Sequence, residues 1–223
     1  MKAVLFDLDG IITDTASYHF LAWKAMAKKL GIEIDKEFNE QLKGMSRMDS
    51  FDLILKKGEI ENKFSLAEKK ELVTNKNEEY KKMIEQMSAI DILPGIKSLL
   101  TELKDKNILL GLASASQNGP IILKKLNLYD LFDTIVDPSG LSAGKPDPEI
   151  FRKAAKQLGC LASECVGIED AAAGVESINS AGIVSVAVGD KEVLKAANKV
   201  LPSTNQLTSE LIERVWTNCS GNN

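Results

Sequence analysis

Lys2-Ala3-Val4-Leu5-Phe6-Asp7-Leu8-Asp9-Gly10 is the stretch that decides the fold. Ala3 to Phe6 is an apolar run of strand length, followed by two carboxylates one residue apart and then a glycine. A run that apolar predicts a strand buried on both faces, the central strand of a parallel sheet. Ligands of such sheets gather at the carboxyl ends of the strands, so Asp7 is delivered to the place where chemistry happens. Alternation along an extended chain predicts that Asp7 and Asp9 project to the same side. Two acids in one pocket invite a division of labour, one ionised by a metal or donors and the other free to carry a proton. An acidic turn after a strand is also common, and D-x-D-G by itself leaves both readings open.

Outward from that stretch the pattern is helical. Ala16, Phe20, Trp23, Ala27 and Leu30 recur at three- and four-residue intervals, and Gly31 stands where a C-terminal cap belongs. Thr15, His19 and Trp23 form a second row at i, i+4, i+8, and His19 is the sole histidine. From Glu33 to Met87 Lys and Glu interleave without a strand candidate. Within this block Lys43-Gly44-Met45-Ser46-Arg47 reads as a loop between helices that presents N–H groups and a guanidinium. Lys76 falls in a long charged helix, where most lysines are solvated.

After Pro94-Gly95 the texture changes to alternating helix and strand. Ile108 to Ala113, Thr134 to Asp137, Cys165 to Ile168 and Ile183 to Val188 read as strands. Gly144-Lys145-Pro146-Asp147-Pro148 places a lysine before a helix whose first turn carries prolines. Five β-then-α units predict an α/β fold, a Rossmann-like doubly wound parallel sheet. Its boundaries are 1–14 and 88–223 for the core, with 15–87 inserted as an all-helical cap over the carboxyl edge.

Composition narrows the function. The chain has 223 residues, 44% of them hydrophobic, and a formal net charge of −4 without a basic block, which argues against nucleic acid or anionic membranes as partners. It shows no signal peptide and no apolar run near the roughly 20 residues that span a bilayer. Its three cysteines form no C-x-x-C pair and predict reduced thiols in a cytoplasmic protein. Asp7 and Asp9, Ser114, Lys145, and Glu169-Asp170 follow four different strands. Hard oxygen ligands select magnesium, while a serine, backbone N–H groups and a lysine suit phosphate oxygens. Asp7 is then placed to attack phosphorus and form an aspartyl phosphate. The residues read as machinery for phosphoryl transfer.

The set D-L-D-G, S-A-S, G-K-P-D-P and G-I-E-D-A resembles the haloacid dehalogenase (HAD) superfamily of phosphotransferases across the whole chain. Residues 6–19, 38–47 and 113–120, with the Lys145 loop, are similar to its β-phosphoglucomutase family. That resemblance implies interconversion of β-D-glucose 1-phosphate and D-glucose 6-phosphate through β-glucose 1,6-bisphosphate, which also serves as activator. It implies Asp7 as nucleophile, the Asp9 side chain as general acid/base, and Mg2+ held by Asp7, the Asp9 carbonyl, Glu169 and Asp170. Ser114 and Lys145 would hold the transferring phosphoryl group, and Thr15, His19 and Lys76 would couple cap closure to Asp9. Arg47, Ser116 and Asn118 would hold the other phosphate, with Gly44, Met45, Ser46 and Ala115 lining the substrate site. At position 117 the family pattern carries lysine and this chain glutamine. A monomer acting on small sugar phosphates is expected. The alternatives are a sugar-phosphate phosphatase on the same fold and a non-catalytic sugar-phosphate sensor.

Overall fold

The structure is a computed structural model that describes residues 1–42 and 45–220. It divides into two compact units, Met1–Asp14 with Ser88–Asn223, and Thr15–Met87.

The second unit is helical: α1 (Ala16–Lys29), α2 (Lys36–Glu40), α3 (Arg47–Lys57) and α4 (Leu66–Ile84). Side chains satisfy the backbone donors that open the later three, as N-terminal caps do. Asp35 accepts from the Phe38 N–H at 2.8 Å, Ser46 from Asp49 at 3.2 Å, and Ser65 with Glu68 closes a reciprocal capping box. α1 gives way at Leu30, after which Gly31 turns left-handed with φ 77°. Trp23, Met26, Ala27, Phe38, Phe51, Ile54, Leu55 and Val73 form the buried centre of the unit. Arg47, expected in a loop, instead opens α3, because the Ser46 cap starts the helix there. Gly44 of the same stretch lies outside the described residues.

The first unit is built on β1 (Ala3–Phe6), β2 (Leu109–Leu112), β3 (Thr134–Ile135), β4 (Cys165–Glu169), β5 (Val184–Val188) and β6 (Lys199–Leu201). Among the described residues these form one parallel sheet in the order β3-β2-β1-β4-β5-β6. β1 is fully buried and central, as its unbroken apolar run requires. The five expected units omit β6, three residues at the sheet edge with Lys199 exposed and Val200 half-buried, too short and mixed to show as an apolar run. Helices α5 (Ile96–Asp105), α6 (Gly119–Lys125), α7 (Glu149–Gln157), α8 (Ala172–Ser180) and α9 (Ser209–Ser220) complete the unit.

Ala3 and Leu5 of β1 pack with Ile150, Phe151 and Ala154 of α7 and Ile178 of α8. Val4 and Phe6, equally buried, face the opposite layer by strand alternation. Pro146 and Pro148 do not sit in the first turn of α7; the helix begins at Glu149 and both prolines precede it.

The chain runs outward from β1 through β2 to β3, then returns to β4 and continues outward on the other side. β1 is thus flanked at the reversal point, where ligands of doubly wound sheets bind. The segments bounding the 15–87 block run side by side within this unit. Leu93 N–H donates to the Ile12 carbonyl at 2.9 Å, and the Thr13 hydroxyl donates to the Asp91 carbonyl at 2.7 Å.

Candidate active site

Strand register assembles the site. Phe6 of β1 lies level with Leu112 of β2 and with Ile168 of β4. The next residues along the three strands, Asp7, Ala113 and Glu169 (the last of β4), therefore stand side by side at the carboxyl edge of the sheet, about 4.8 Å apart per strand. Two backbone bonds carry the ladder one step past the strands, Asp7 N–H to the Ile168 carbonyl (3.0 Å) and Ala113 N–H to the Phe6 carbonyl (2.8 Å).

Lys145 closes the group. Its Nζ donates to Asp7 Oδ1 at 2.7 Å and to Glu169 Oε1 at 2.6 Å, with all three side chains buried. The Phe151 ring lies 5.0 Å from the ammonium. Burial by itself would lower the lysine pKa, but the two carboxylates outweigh it and raise the pKa, so Lys145 stays charged. Burial pushes the Asp7 carboxyl up to about 6, against the pull of Lys145 and helped by the Glu169 charge. Above that pH Asp7 is ionised, the form a nucleophile needs.

Glu169 is fixed at both oxygens. While Oε1 meets Lys145, Oε2 accepts from the N–H groups of Asp170 (2.8 Å) and Ala171 (2.9 Å), ahead of α8. Asp7, Glu169 and Asp170 bring carboxylate oxygens within 4.8 Å of one another. These are hard oxygen donors, and three carboxylates against one ammonium leave two negative charges, which one divalent cation balances. Gly10 makes room for the third: with φ +74°, a Cβ there would stand 2.1 Å from Asp170 Oδ2. The residues present fit a magnesium ion. The Asp9 carboxylate is outside this group. The strand ends at Phe6, and Asp9 lies in a turn bridged to Thr13, so alternation along an extended chain no longer directs its side chain.

The loop after β2 carries the other sheet-unit candidates. Ser114 is buried and its hydroxyl accepts from the Ser116 N–H at 3.2 Å; the Ser116 hydroxyl accepts from the Asn118 N–H at 3.3 Å. Asn118 is buried at the start of α6, Ala115 and Ser116 are half-buried, and Gln117 is exposed.

The remaining candidates belong to the helical unit. Thr15 is buried, and its carbonyl accepts from the His19 N–H at 2.9 Å. Lys76 of α4 is buried, with its Nζ 3.0 Å from His19 Nδ1, 4.3 Å from the Trp23 ring and 5.0 Å from the Tyr80 ring. An ammonium only donates, so His19 Nδ1 accepts and the ring is the neutral Nε2–H tautomer. The His19 and Tyr80 rings stack with centroids 4.0 Å apart. Burial, then Lys76 and Arg47, lower the His19 pKa well below its usual value. Arg47 is half-buried, as are Met45 and Ser46. Lys76 is not the solvated lysine its charged surroundings suggest. The signal was present in the spacing: Lys76 lies on the stripe Val73, Tyr80, Ile84 that forms the buried face of α4.

The cysteines are free thiols, and burial pushes Cys165 up to about 12. Among the described residues no helix is long and apolar enough to cross a membrane.

Comparison with known proteins adds the lineage. The family model for haloacid dehalogenase-like hydrolases matches residues 1–182. The β-phosphoglucomutase of Bacillus subtilis is 49% identical over 216 residues, 97% of this chain and 96% of its own. The crystal structure of β-phosphoglucomutase from Clostridium difficile superposes with a TM-score of 0.97 at 48% identity, covering 98% of each chain. A phosphorylated carbohydrates phosphatase of Thermotoga maritima is 30% identical over 185 residues, 82% of each chain. With a family model over most of its length and near-half identity end to end, the chain belongs to the haloacid dehalogenase-like hydrolases and, among them, to the β-phosphoglucomutases.

Proposed function

We propose that the protein interconverts β-D-glucose 1-phosphate and D-glucose 6-phosphate, with β-glucose 1,6-bisphosphate as intermediate and activator. The observation that carries this reading is the 49% identity to a β-phosphoglucomutase across 97% of the chain. An Asp7 oxygen attacks phosphorus of the bisphosphate, the phosphorus–oxygen bond to the sugar breaks, and the Asp9 carboxyl protonates the leaving sugar oxygen. In the return step the free hydroxyl of an incoming β-glucose 1-phosphate attacks the aspartyl phosphate, Asp9 takes its proton, Asp7 is released as carboxylate, and the bisphosphate is re-formed. Lys145 and Ser114 hold the transferring phosphoryl oxygens. Bound Mg2+, held by Asp7, Glu169, Asp170 and the Asp9 carbonyl, would neutralise charge on that group.

Ser116 and Asn118 are assigned to the non-reacting phosphate, and the Arg47 guanidinium is of the right chemistry for the same anion. Met45, Ser46 and Ala115 are assigned to the substrate, and Thr15, His19 and Lys76 to the control of Asp9.

A sugar-phosphate phosphatase is the second reading, favoured by the 30% identity to the Thermotoga maritima phosphatase. Both readings share the aspartyl phosphate on Asp7 and differ in whether a sugar hydroxyl or water receives the phosphoryl group. The deciding experiment follows glucose 6-phosphate formation and inorganic phosphate release in parallel, from β-glucose 1-phosphate with Mg2+ and the bisphosphate. Mutase turnover far exceeding phosphate release is expected, and Asp7→Asn removes both. Phosphate release as the main product overturns the mutase reading, and substantial turnover by Asp7→Asn overturns the role of Asp7.

A further inference from the structure

Gly174 is the third residue of α8 and is buried. A Cβ built on it would lie 1.8 Å from Glu169 Oε1, 2.0 Å from Cδ and 2.6 Å from Cγ, and these are the three nearest atoms. The Glu169 carboxylate thus rests directly on the backbone of the helix that follows its own strand. The displaced atom would be Oε1, the oxygen that accepts from Lys145, which in turn bonds Asp7.

We infer that Gly174 is a positioning residue for the reaction: its missing side chain is the seat of the Glu169 carboxylate, and through it of Lys145 and Asp7. A glutamate has a flexible side chain, so a methyl at 174 need not break the fold. The carboxylate swings aside, and the cost falls on its bonds to Lys145 and the Asp170 and Ala171 N–H groups. Helix propensity points the other way, since Ala replaces Gly in a helix interior with a gain in stability. A residue serving only the helix would therefore improve on substitution.

The test uses the full chain as wild type, Gly174→Ala, Glu169→Ala and the double variant. Mg2+ binding is measured calorimetrically without substrate, and kcat, KM and thermal unfolding are measured beside it. Gly174→Ala is expected to weaken Mg2+ binding roughly 10–100-fold, as loss of a supporting contact does, and to lower kcat with KM for the sugar phosphate little changed. In the Glu169→Ala background the same substitution is expected to raise Tm by about 2 °C, because the clash is gone and only propensity remains. In the otherwise wild-type chain that gain should be absent. Wild-type Mg2+ affinity and kcat in Gly174→Ala overturn the inference. So does a Tm change of the same sign and size in both backgrounds. If Gly174→Ala fails to fold, a folded double variant supports the seat, and an unfolded one assigns the glycine to helix packing and overturns it. The kcat arm rests on the mutase reading; the Mg2+ and Tm arms do not, and wild-type turnover tests that reading separately.

Discussion

Asp9 stands three residues past β1 in a turn closed by the Gly10 N–H on the Thr13 carbonyl at 2.9 Å. Its metal contact is assigned to the backbone carbonyl, which substitution leaves in place, and its proton to the side chain. Asp9→Asn should therefore slow transfer to the sugar about 10²–10⁴-fold while Mg2+ affinity, read by calorimetry, changes little. Equal losses in single-turnover rate and metal affinity would sink the assignment. Gln117 is exposed on the loop after β2, at the position where the resemblance implies a lysine. A charged donor to phosphate is worth on the order of 1 kcal/mol more than a neutral one, so Gln117→Lys should lower KM for glucose phosphates several-fold with a smaller change in kcat. An unchanged KM at low and moderate salt would detach position 117 from the phosphate. Asp7, Ser114, Lys145 and Glu169 were legible as residues because each follows a strand and has chemistry of its own. What the sequence did not display was their pairing, which depends on register between strands more than 100 residues apart. Gly10 and Gly174 contribute by what they lack, and vacant space leaves no composition signal.

α4 shows the same limit at the level of an element. Its sequence is dominated by Lys and Glu, yet its buried stripe runs Val73, Lys76, Asn77, Tyr80, Ile84. The helix was legible from its pattern and the place of Lys76 from its stripe; the partners that let an ammonium be buried there, the aromatic rings and the imidazole supplied by α1 and α4 together, were not. Those partners set a pH dependence. The His19 pKa in the folded unit is depressed by burial, Lys76 and Arg47, with an unfolded value near 6.5. Between the two values the unfolded chain binds the extra proton, so this contribution is intact above about 6.5 and is lost as pH falls toward the folded pKa. The slope from one proton cannot exceed about 1.4 kcal/mol per pH unit. Thermal unfolding from pH 7.5 to 5.5 should show a shallower loss in His19→Gln than in wild type, because carboxylates common to both cancel. Parallel curves would show that His19 is not held neutral.

At the scale of the whole molecule, the parallel α/β sheet could be read from runs of apolar residues and the loops between them, and only the short mixed edge at Lys199–Leu201 escaped. The connectors at Ile12–Thr13 and Asp91–Leu93, bonded to each other, carry a further consequence. Topologically they turn residues 14–90 into a closed loop whose two ends meet at hydrogen-bond distance. Closing a flexible loop costs entropy that grows only with the logarithm of its length, about 0.6 kcal/mol per doubling. Replacing 15–87 by a flexible turn of about five residues shortens that loop by about three halvings, a gain of about 2 kcal/mol for closure. The shortened chain should fold to the parallel sheet, checked by near-ultraviolet circular dichroism and a cooperative thermal transition; a molten product would refute it. A closure cost that grows only with the logarithm of length makes a flexible insertion at this point nearly as easy to join long as short. A segment joined between Thr13 and Asp91 can thus be lengthened or shortened at a small closure cost to the fold that carries Asp7.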